Sequence, residues 1–290
     1  MPQGEALARG YLRENFRLFH LRDADMQAID WHYHSFHKVV AFLAGHASYA
    51  IEGKSYVLEP GDMVLVPRGC IHRPEVRPGL PYERYILYIA PEFLRQISSD
   101  STDLEQCFGA VSSDYQYALR PSGPDTAAIR LLETLQTAMQ EPGFGQDLLT
   151  ESLLVQFLVR ISRDLAAHQL RYVTSAQCDE KVVAILRYLN LHLTEPISTE
   201  ELSRQFYVSK YHMMRRFKAE TGYTIHSYVT EKRLLLAREK IAQGGLLGQI
   251  SDECGFGDYS TFSRAYKRQF GVSPNAAGKP APLAQDDILD

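Results

Sequence analysis

Basic side chains at regular spacing near the C-terminal end of the chain are suited to binding phosphates and base edges. Residues 248–274 read as a helix, a tight turn containing Gly255 and a second, basic helix. On that second helix Phe262, Tyr266 and Phe270 recur at i, i+4 and i+8, a stripe that should face a core. The pattern predicts a helix-turn-helix whose second helix enters the DNA major groove. The residues off the stripe that we predict to meet DNA are Ser260, Thr261, Ser263, Arg264, Lys267 and Arg268.

A similar segment occurs upstream. Residues 197–202 begin a helix in which acidic residues follow Ser198 or Thr199, as in a capping box, and residues 207–209 form a turn. Residues 210–218 are then a first candidate recognition helix, with Met213 and Phe217 in the core. Its predicted DNA-facing residues are Ser209, Lys210, Tyr211, Met214, Arg215 and Lys218.

The two segments together resemble the paired helix-turn-helix motifs of the AraC/XylS family of bacterial transcription regulators. Residues 225–243 between them are similar to the family's connecting helix, whereas Arg216 stands where an apolar residue is usual. The resemblance implies two recognition helices in successive major grooves, about 34 Å apart. Either motif alone could be a chance pattern on a helical protein, but two in order argue against chance. The C-terminal signature is carried by Ile250, Gly255, Phe256, Ser260, Phe262, Arg264, Lys267, Phe270, Gly271 and Pro274.

The charge of the chain is unevenly distributed. The 290 residues carry a net charge of −4, which taken alone argues against nucleic-acid binding. Residues 205–272, however, contain 11 Lys/Arg and 6 Asp/Glu, a net of +5, and the remainder has a net of −9. A local basic patch is what phosphate contact requires.

Targeting signals and cysteine pairs are missing from the sequence. Residues 1–10 lack the apolar core of a secretory signal, and no run of 18 apolar residues could span a membrane. The four cysteines are scattered, without the spacing of a disulfide framework or a zinc site, and Cys254 reads as a small core residue. We therefore expect a cytoplasmic protein.

The N-terminal half reads as short strands. Residues 28–90 alternate apolar and polar residues between Gly and Pro, which predicts an antiparallel barrel or jelly roll. Gly61, Pro67–Gly69 and His72 have the spacing of the second cupin motif, and residues 32–34 with Gly45 match the first. This half therefore resembles the cupin-type sensor domain found in the same regulator family.

Three histidines and one lysine are the candidate ligand-binding residues of this half. Enzymatic cupins hold a divalent metal with histidines and a glutamate, but Lys38, or Val39 under the other allowed spacing, stands at the glutamate position. Strand parity places Lys38 on the side of His32 and His34, and a cation there repels a metal and favours an anion. We predict no metal and no cofactor. The predicted effector, a small anionic or polar metabolite, would bind His32, His34, Lys38 and His72.

Two alternatives remain for these histidines. They could be inherited from a cupin ancestor and satisfied by hydrogen bonds inside the barrel. They could also hold a metal, with His37 replacing the glutamate if a bulge re-aims it.

The middle of the chain reads as helices. A short helix begins at Pro91, residues 110–125 read as a loop, and helices follow at about 125–140 and 146–167. The last of these is apolar around most of its circumference and must be buried on several sides. It could form a dimer interface, as is common in the resembled family, or pack within its own chain.

The sequence thus predicts a two-domain α+β protein. The predicted parts are a cupin-like antiparallel β-barrel at 1–95, a helical appendage at 96–170, a linker at 171–180, an all-α double helix-turn-helix at 181–274 and a disordered tail at 275–290. The predicted function is a ligand-responsive, sequence-specific transcriptional regulator, not an enzyme and with no catalytic residues. Its expected partners are double-stranded DNA, a small effector, a second copy of the chain and, for an activator, RNA polymerase. The rival functions are a cupin enzyme fused to a DNA-binding module and a constitutive DNA binder whose barrel only dimerises.

Overall fold

The computed structural model describes residues 12, 14–24, 28–77, 79–123 and 126–277. The chain divides into two compact units between Asp179 and Glu180. The N-terminal unit contains strands β1 (Phe16–Asp23), β2 (His37–Gly45), β3 (Ala47–Ile51), β4 (Lys54–Val57), β5 (Met63–Val66), β6 (His72–Val76), β7 (Tyr82–Ile89), β8 (Ala118–Pro121), β9 (Leu170–Tyr172) and β10 (Gln177–Cys178). Its helices are α1 (Pro91–Ile97), α2 (Gln106–Asp114), α3 (Ala127–Gln140) and α4 (Gln146–Ala166). The C-terminal unit contains α5 (Glu180–Leu191), α6 (Thr199–Gln205), α7 (Lys210–Thr221), α8 (Ile225–Ala242), α9 (Leu247–Glu253), α10 (Tyr259–Phe270) and α11 (Pro274–Ala277).

The strands of the N-terminal unit form two antiparallel sheets. The larger has the order β1-β7-β2-β5-β8-β9 and the smaller the order β10-β4-β3-β6. The predicted two-domain α+β class is confirmed, but the two sheets do not close into the predicted barrel. Lys38 on the larger sheet lies 5.7 Å from the ring of Tyr49 on the smaller one, so both sheets line one interior.

Four strands, β1, β8, β9 and β10, come from segments that the sequence pattern did not mark as strands. β1 precedes the predicted strand region and pairs along its whole length with β7, from Phe16 opposite Ile89 to Asp23 opposite Tyr82. The predicted loop at 110–125 was wrong, because α2 continues to Asp114 and β8 follows it. Within the predicted linker at 171–180, β10 pairs with β4, so these residues extend the smaller sheet.

Helices α3 and α4 bury only part of their apolar surface within the unit. α4 buries Leu154, Phe157 and Leu158 almost completely, as the intramolecular alternative requires. At its N-terminal end, however, Leu148 is 69% exposed and Leu149 is 52% exposed. Both alternatives for this helix therefore retain support.

The C-terminal unit is helical and its helix ends are capped as the sequence pattern favours. Ser209 accepts a hydrogen bond from the backbone N–H of His212 at the start of α7, and Asp258 accepts one from Thr261 at the start of α10. Most of the predicted core residues are buried, because Met213, Phe217, Phe262 and Tyr266 are all at most 2% exposed. Phe270, the third member of the predicted stripe of α10, is only half-buried. Cys254 is buried as predicted.

Most of the predicted tail lies outside the described residues. Residues 275–277 belong to the short helix α11, and the prediction of disorder for 278–290 concerns residues that are not described. No helix in the described ranges is long and apolar enough to cross a membrane.

Candidate functional site

Helix α7 presents a mixed apolar and basic surface to solvent. Tyr211 is 76% exposed, Met214 is 42% exposed, and Arg215 and Lys218 are also exposed. Exposed apolar side chains on a recognition helix are suited to contact thymine methyl groups in the major groove. The helix therefore offers apolar side chains that can contact bases and cations that can bind phosphates.

Two predicted contacts of α7 already have partners within the chain. Ser209 uses its hydroxyl to cap the helix, and Lys210 forms an ion pair with Glu200. Arg216, whose orientation the sequence left open, is exposed. Binding DNA through Lys210 would therefore mean exchanging Glu200 for a phosphate.

Helix α10 has a basic surface opposite its buried aromatic stripe. Ser260, Arg264, Lys267 and Arg268 are exposed, and Ser263 is half-buried. Thr261 is exposed too, but its hydroxyl donates to Asp258 at 2.6 Å, so it helps to form the cap. Arg264, Lys267 and Arg268 are therefore accessible to phosphates, and the Nε of Arg264 donates to the carbonyl of Ser260 at 3.3 Å.

Arg233 lies on α8, the helix between the two motifs, and bonds to the loop after α5 and to the turn of the second motif. Its guanidinium donates to the carbonyl oxygens of Leu193, Glu195 and Gly255 at 2.6–2.7 Å. Gly255 forms the turn of the second motif with a φ of +79°. These bonds fix the turn that precedes α10.

Tyr207 lies in the turn of the first motif, at a position that the sequence pattern did not mark as a candidate site residue. It occupies the position that Gly255 holds in the second motif, the residue after the C-cap of the first helix, and its φ is +52°. Its side chain is 90% exposed. Comparing the two motifs would have found it, because a tyrosine stands where a left-handed backbone favours glycine.

In the N-terminal unit the candidate histidines lie close together. The ring centroid of His72 is 4.3 Å from that of His32 and 4.8 Å from that of His34. A backbone bridge holds His32 to His72, and the N–H of Gly69 donates to the carbonyl of His34 at 2.8 Å. The predicted turn at Pro67–Gly69 therefore positions the cluster.

The hydrogen bonds of the histidines fix which ring nitrogen carries the proton. The Nδ1–H groups of His34 and His72 donate to the carbonyls of Phe36 and Cys70 at 2.7 and 2.9 Å, since a carbonyl can only accept. Burial lowers the pKa of both rings well below 6.5, and Lys38 lowers them further, so both rings are neutral. Each Nε2 is then an acceptor. Both Nε2 atoms and the hydroxyl of Tyr49 are buried without a hydrogen-bond partner in the described ranges.

Lys38 supplies the cationic side of the same interior. It is 6% exposed, and its Nζ lies 5.7 Å from the ring of Tyr49 and 6.0 Å from that of Tyr88. Burial lowers the pKa of Lys38 from 10.5 to about 7, and the nearby Arg84 adds to this. Arg84 is itself buried and donates to Asp23 at 2.5 Å.

His37 points away from this cluster, as strand parity predicts. Its ring stacks on Phe108 at 4.2 Å, and its Nε2 lies 3.5 Å from Glu105. The bulge in β2 lies between Phe42 and Ala44 and does not re-aim it. In the described part of the chain no group of three or more His, Cys, Asp and Glu side chains is arranged to hold a metal ion.

Comparison with known protein families gives two adjacent matches. The AraC-like ligand binding domain matches residues 18–158, and a helix-turn-helix domain matches residues 202–279. The chain belongs to the AraC family of transcriptional regulators. The resemblance inferred from the sequence is thereby confirmed. The regulator carries a ligand-binding domain and a helix-turn-helix DNA-binding domain, in that order.

Named relatives align with most of the chain. The chain is 29% identical over 245 residues to the probable transcriptional regulator LumQ of Photobacterium leiognathi, covering 84% of this chain and 90% of LumQ. It is 26% identical over 249 residues to the HTH-type transcriptional activator RhaS of Escherichia fergusonii, covering 84% of this chain and 85% of RhaS.

Solved structures show a weaker likeness. ToxT from Vibrio cholerae is 12% identical, covering 91% of this chain and 98% of ToxT, with a TM-score of 0.36. An AraC-type regulator from Chromobacterium violaceum is 28% identical, covering 34% of this chain and 88% of its own, with a TM-score of 0.32.

Proposed function

We propose that this AraC-family regulator reads its operator with two recognition helices, α7 and α10, in successive major grooves. We further propose that a small anionic or polar metabolite in the N-terminal unit changes that binding. An effector can do this only if it binds one state of the protein more tightly than the other. The observation that supports the DNA part most strongly is the exposed basic surface of α10, opposite an aromatic stripe in which Phe262 and Tyr266 are almost completely buried.

Arg264 is the residue that we expect to contribute most to base reading. Replacing it with alanine should weaken operator binding about 10- to 100-fold and relax the preference for one base pair, as loss of a bidentate contact does. Competition between the operator and single-base variants of it measures both effects. Arg163→Ala, which removes an exposed arginine of α4, is the matched control.

A pure phosphate contact gives a different result. In that case Arg264→Ala would weaken the binding of all sequences equally and lower the salt dependence. If affinity and specificity both stayed unchanged, the assignment of Arg264 would be withdrawn.

The polar atoms of the N-terminal interior favour one class within the proposed effectors. The neutral Nε2 atoms of His34 and His72 accept hydrogen bonds, so they call for a donor on the ligand, such as a hydroxyl. The ammonium of Lys38 donates and attracts an anion, such as a carboxylate. A small hydroxy acid carries both groups, and it is the effector class that we propose.

Thermal unfolding with panels of hydroxy acids, plain acids and polyols tests this class. A ligand at 100 times its Kd should stabilise the protein by about 2.7 kcal/mol. We expect hydroxy acids to raise the melting temperature most and Lys38→Met to abolish the effect of the carboxylate. If no compound shifts the melting temperature, the N-terminal unit serves another role, such as a platform for dimerisation.

The exposed end of α4 supports a homodimer. Phe144, Leu148 and Leu149 are all exposed at the α3–α4 turn, where a second copy of the chain could cover them. We propose that the regulator acts in the cytoplasm as this dimer, and that RNA polymerase is a partner if it activates transcription.

A further inference from the structure

Tyr207 combines two features that no structural role within the chain explains. Its backbone is in the left-handed region, where a residue with a side chain is strained, and the equivalent position in the second motif is Gly255. Its side chain is 90% exposed, and it makes no side-chain hydrogen bond or ring contact in the described ranges. The strain is therefore not offset by burial or by a polar contact of the ring.

The position of Tyr207 connects it to DNA. It lies two residues before Ser209, the N-cap of α7. The N-terminal residues of a recognition helix contact base edges, so a side chain just before the cap lies near the edge of the groove, where the phosphates run. The phenol hydroxyl is a donor that proteins use on phosphate oxygens.

We propose that Tyr207 is a DNA-backbone contact of the first motif, its hydroxyl donating to a phosphate oxygen. Such a contact does not depend on the DNA sequence. It holds α7 in register while Tyr211 and Met214 contact the bases. It rests on the proposed insertion of α7 into the groove. The regulator keeps a strained tyrosine at this turn because a glycine could not make the contact.

Two variants separate the hydroxyl from the strain. Tyr207→Phe keeps the ring and the backbone, and it should weaken binding to a short mixed-sequence duplex and to the operator by the same factor, about tenfold. Because the hydroxyl is uncharged, the slope of binding against salt should not change. Lys218→Ala is the contrasting variant, since loss of a cationic phosphate contact lowers that slope by about 0.9.

Tyr207→Gly should weaken DNA binding at least as much and raise the melting temperature of the C-terminal unit by a few degrees. The matched control is His168→Gly in the N-terminal unit, since His168 is exposed and has a φ of +56°. The control should relieve similar strain and leave DNA binding unchanged.

Each other outcome points to a different failure. If the wild-type chain binds no duplex, the proposed DNA-binding function fails. If it binds and both Tyr207 variants bind equally well, the backbone contact is wrong. A loss confined to the operator would make Tyr207 a base-reading residue and would also overturn the proposal.

Discussion

Replacing Gly255 with alanine should destabilise the C-terminal unit by about 3 kcal/mol or more, among the largest effects expected of a single methyl group in this chain. The left-handed backbone at a φ of +79° costs alanine roughly 1–2 kcal/mol. A Cβ there would also lie 2.5 Å from the carbonyl oxygen of Thr194, which is backbone and cannot rotate away. Such overpacking adds about 1–3 kcal/mol.

The clash also reaches the hydrogen bonds that hold the turn. The same Cβ would lie 3.0 Å from the guanidinium carbon of Arg233, which bonds to the carbonyls of Leu193, Glu195 and Gly255. Moving that side chain lengthens three hydrogen bonds at once. The turn before α10 should therefore shift, and DNA affinity should fall together with stability.

Gly271→Ala is the matched control for this prediction. Gly271 caps α10 with a φ of +76°, but nothing lies within 4 Å of its Cβ position, so only the backbone strain applies. Calorimetry of the full chain should show that Gly255→Ala lowers the melting temperature of the C-terminal unit by about 10 °C or more relative to the wild type. Gly271→Ala should lower it by less. If the two variants lower the melting temperature equally, the clash with Thr194 relaxes without cost.

The helical half of the fold was the more predictable half. Its helices were marked by local signals, such as the cap predicted at Ser198 or Thr199, where Ser198 caps α6, and the aromatic stripe that contains Phe262 and Tyr266. The burial of this stripe follows directly from the helical period. The same period correctly predicted that the cations of α10 are exposed, whereas their contacts with DNA stay predictions.

The strands were less predictable because their pairing is not local. β8 is four residues long and gains its stability from Met63 and Val64 on one side and from β9 on the other, none of which its own sequence reveals. Turn-forming residues at Ser112 and Ser113 favoured a loop there, but packing extended α2 through them. Closure of the barrel likewise depends on edge pairings that no short pattern encodes.

Strand parity placed Lys38 beside His32 and His34, and the structure does bring these residues together near His72. The physical reason differs from the prediction, because β2 begins only at His37 and residues 35–36 form a bend, so both histidines precede the strand. Strand parity could not predict which ring nitrogen of His34 and His72 carries the proton. That follows from bonds to the carbonyls of Phe36 and Cys70, which depend on the loops flanking β2 and β6.

Lys38→Met should stabilise the N-terminal unit most at neutral and acidic pH, with a gain that shrinks as the pH rises. The pKa of Lys38 is about 7 in the folded protein and 10.5 in the unfolded chain. Between these values the unfolded chain binds more protons, so the stability of the wild type increases with pH across that window. Methionine fills a similar volume without a charge to bury, and it removes this dependence.

The expected size of this effect is on the order of 5 kcal/mol below about pH 7, since the pKa falls from 10.5 to about 7 and one pKa unit corresponds to about 1.4 kcal/mol. Urea unfolding of the wild type and of Lys38→Met at about pH 6 and about pH 9 measures it. Lys267→Met, which replaces an exposed lysine of α10, is the control variant. If the difference in unfolding free energy between Lys38→Met and the wild type stays constant with pH, the Lys38 ammonium is solvated in the folded protein.

A difference that becomes smaller as the pH rises would instead explain how an anionic effector acts. The carboxylate of the effector would stabilise the charged form of Lys38 that burial disfavours. Above about pH 7 the effector would therefore bind with uptake of a proton.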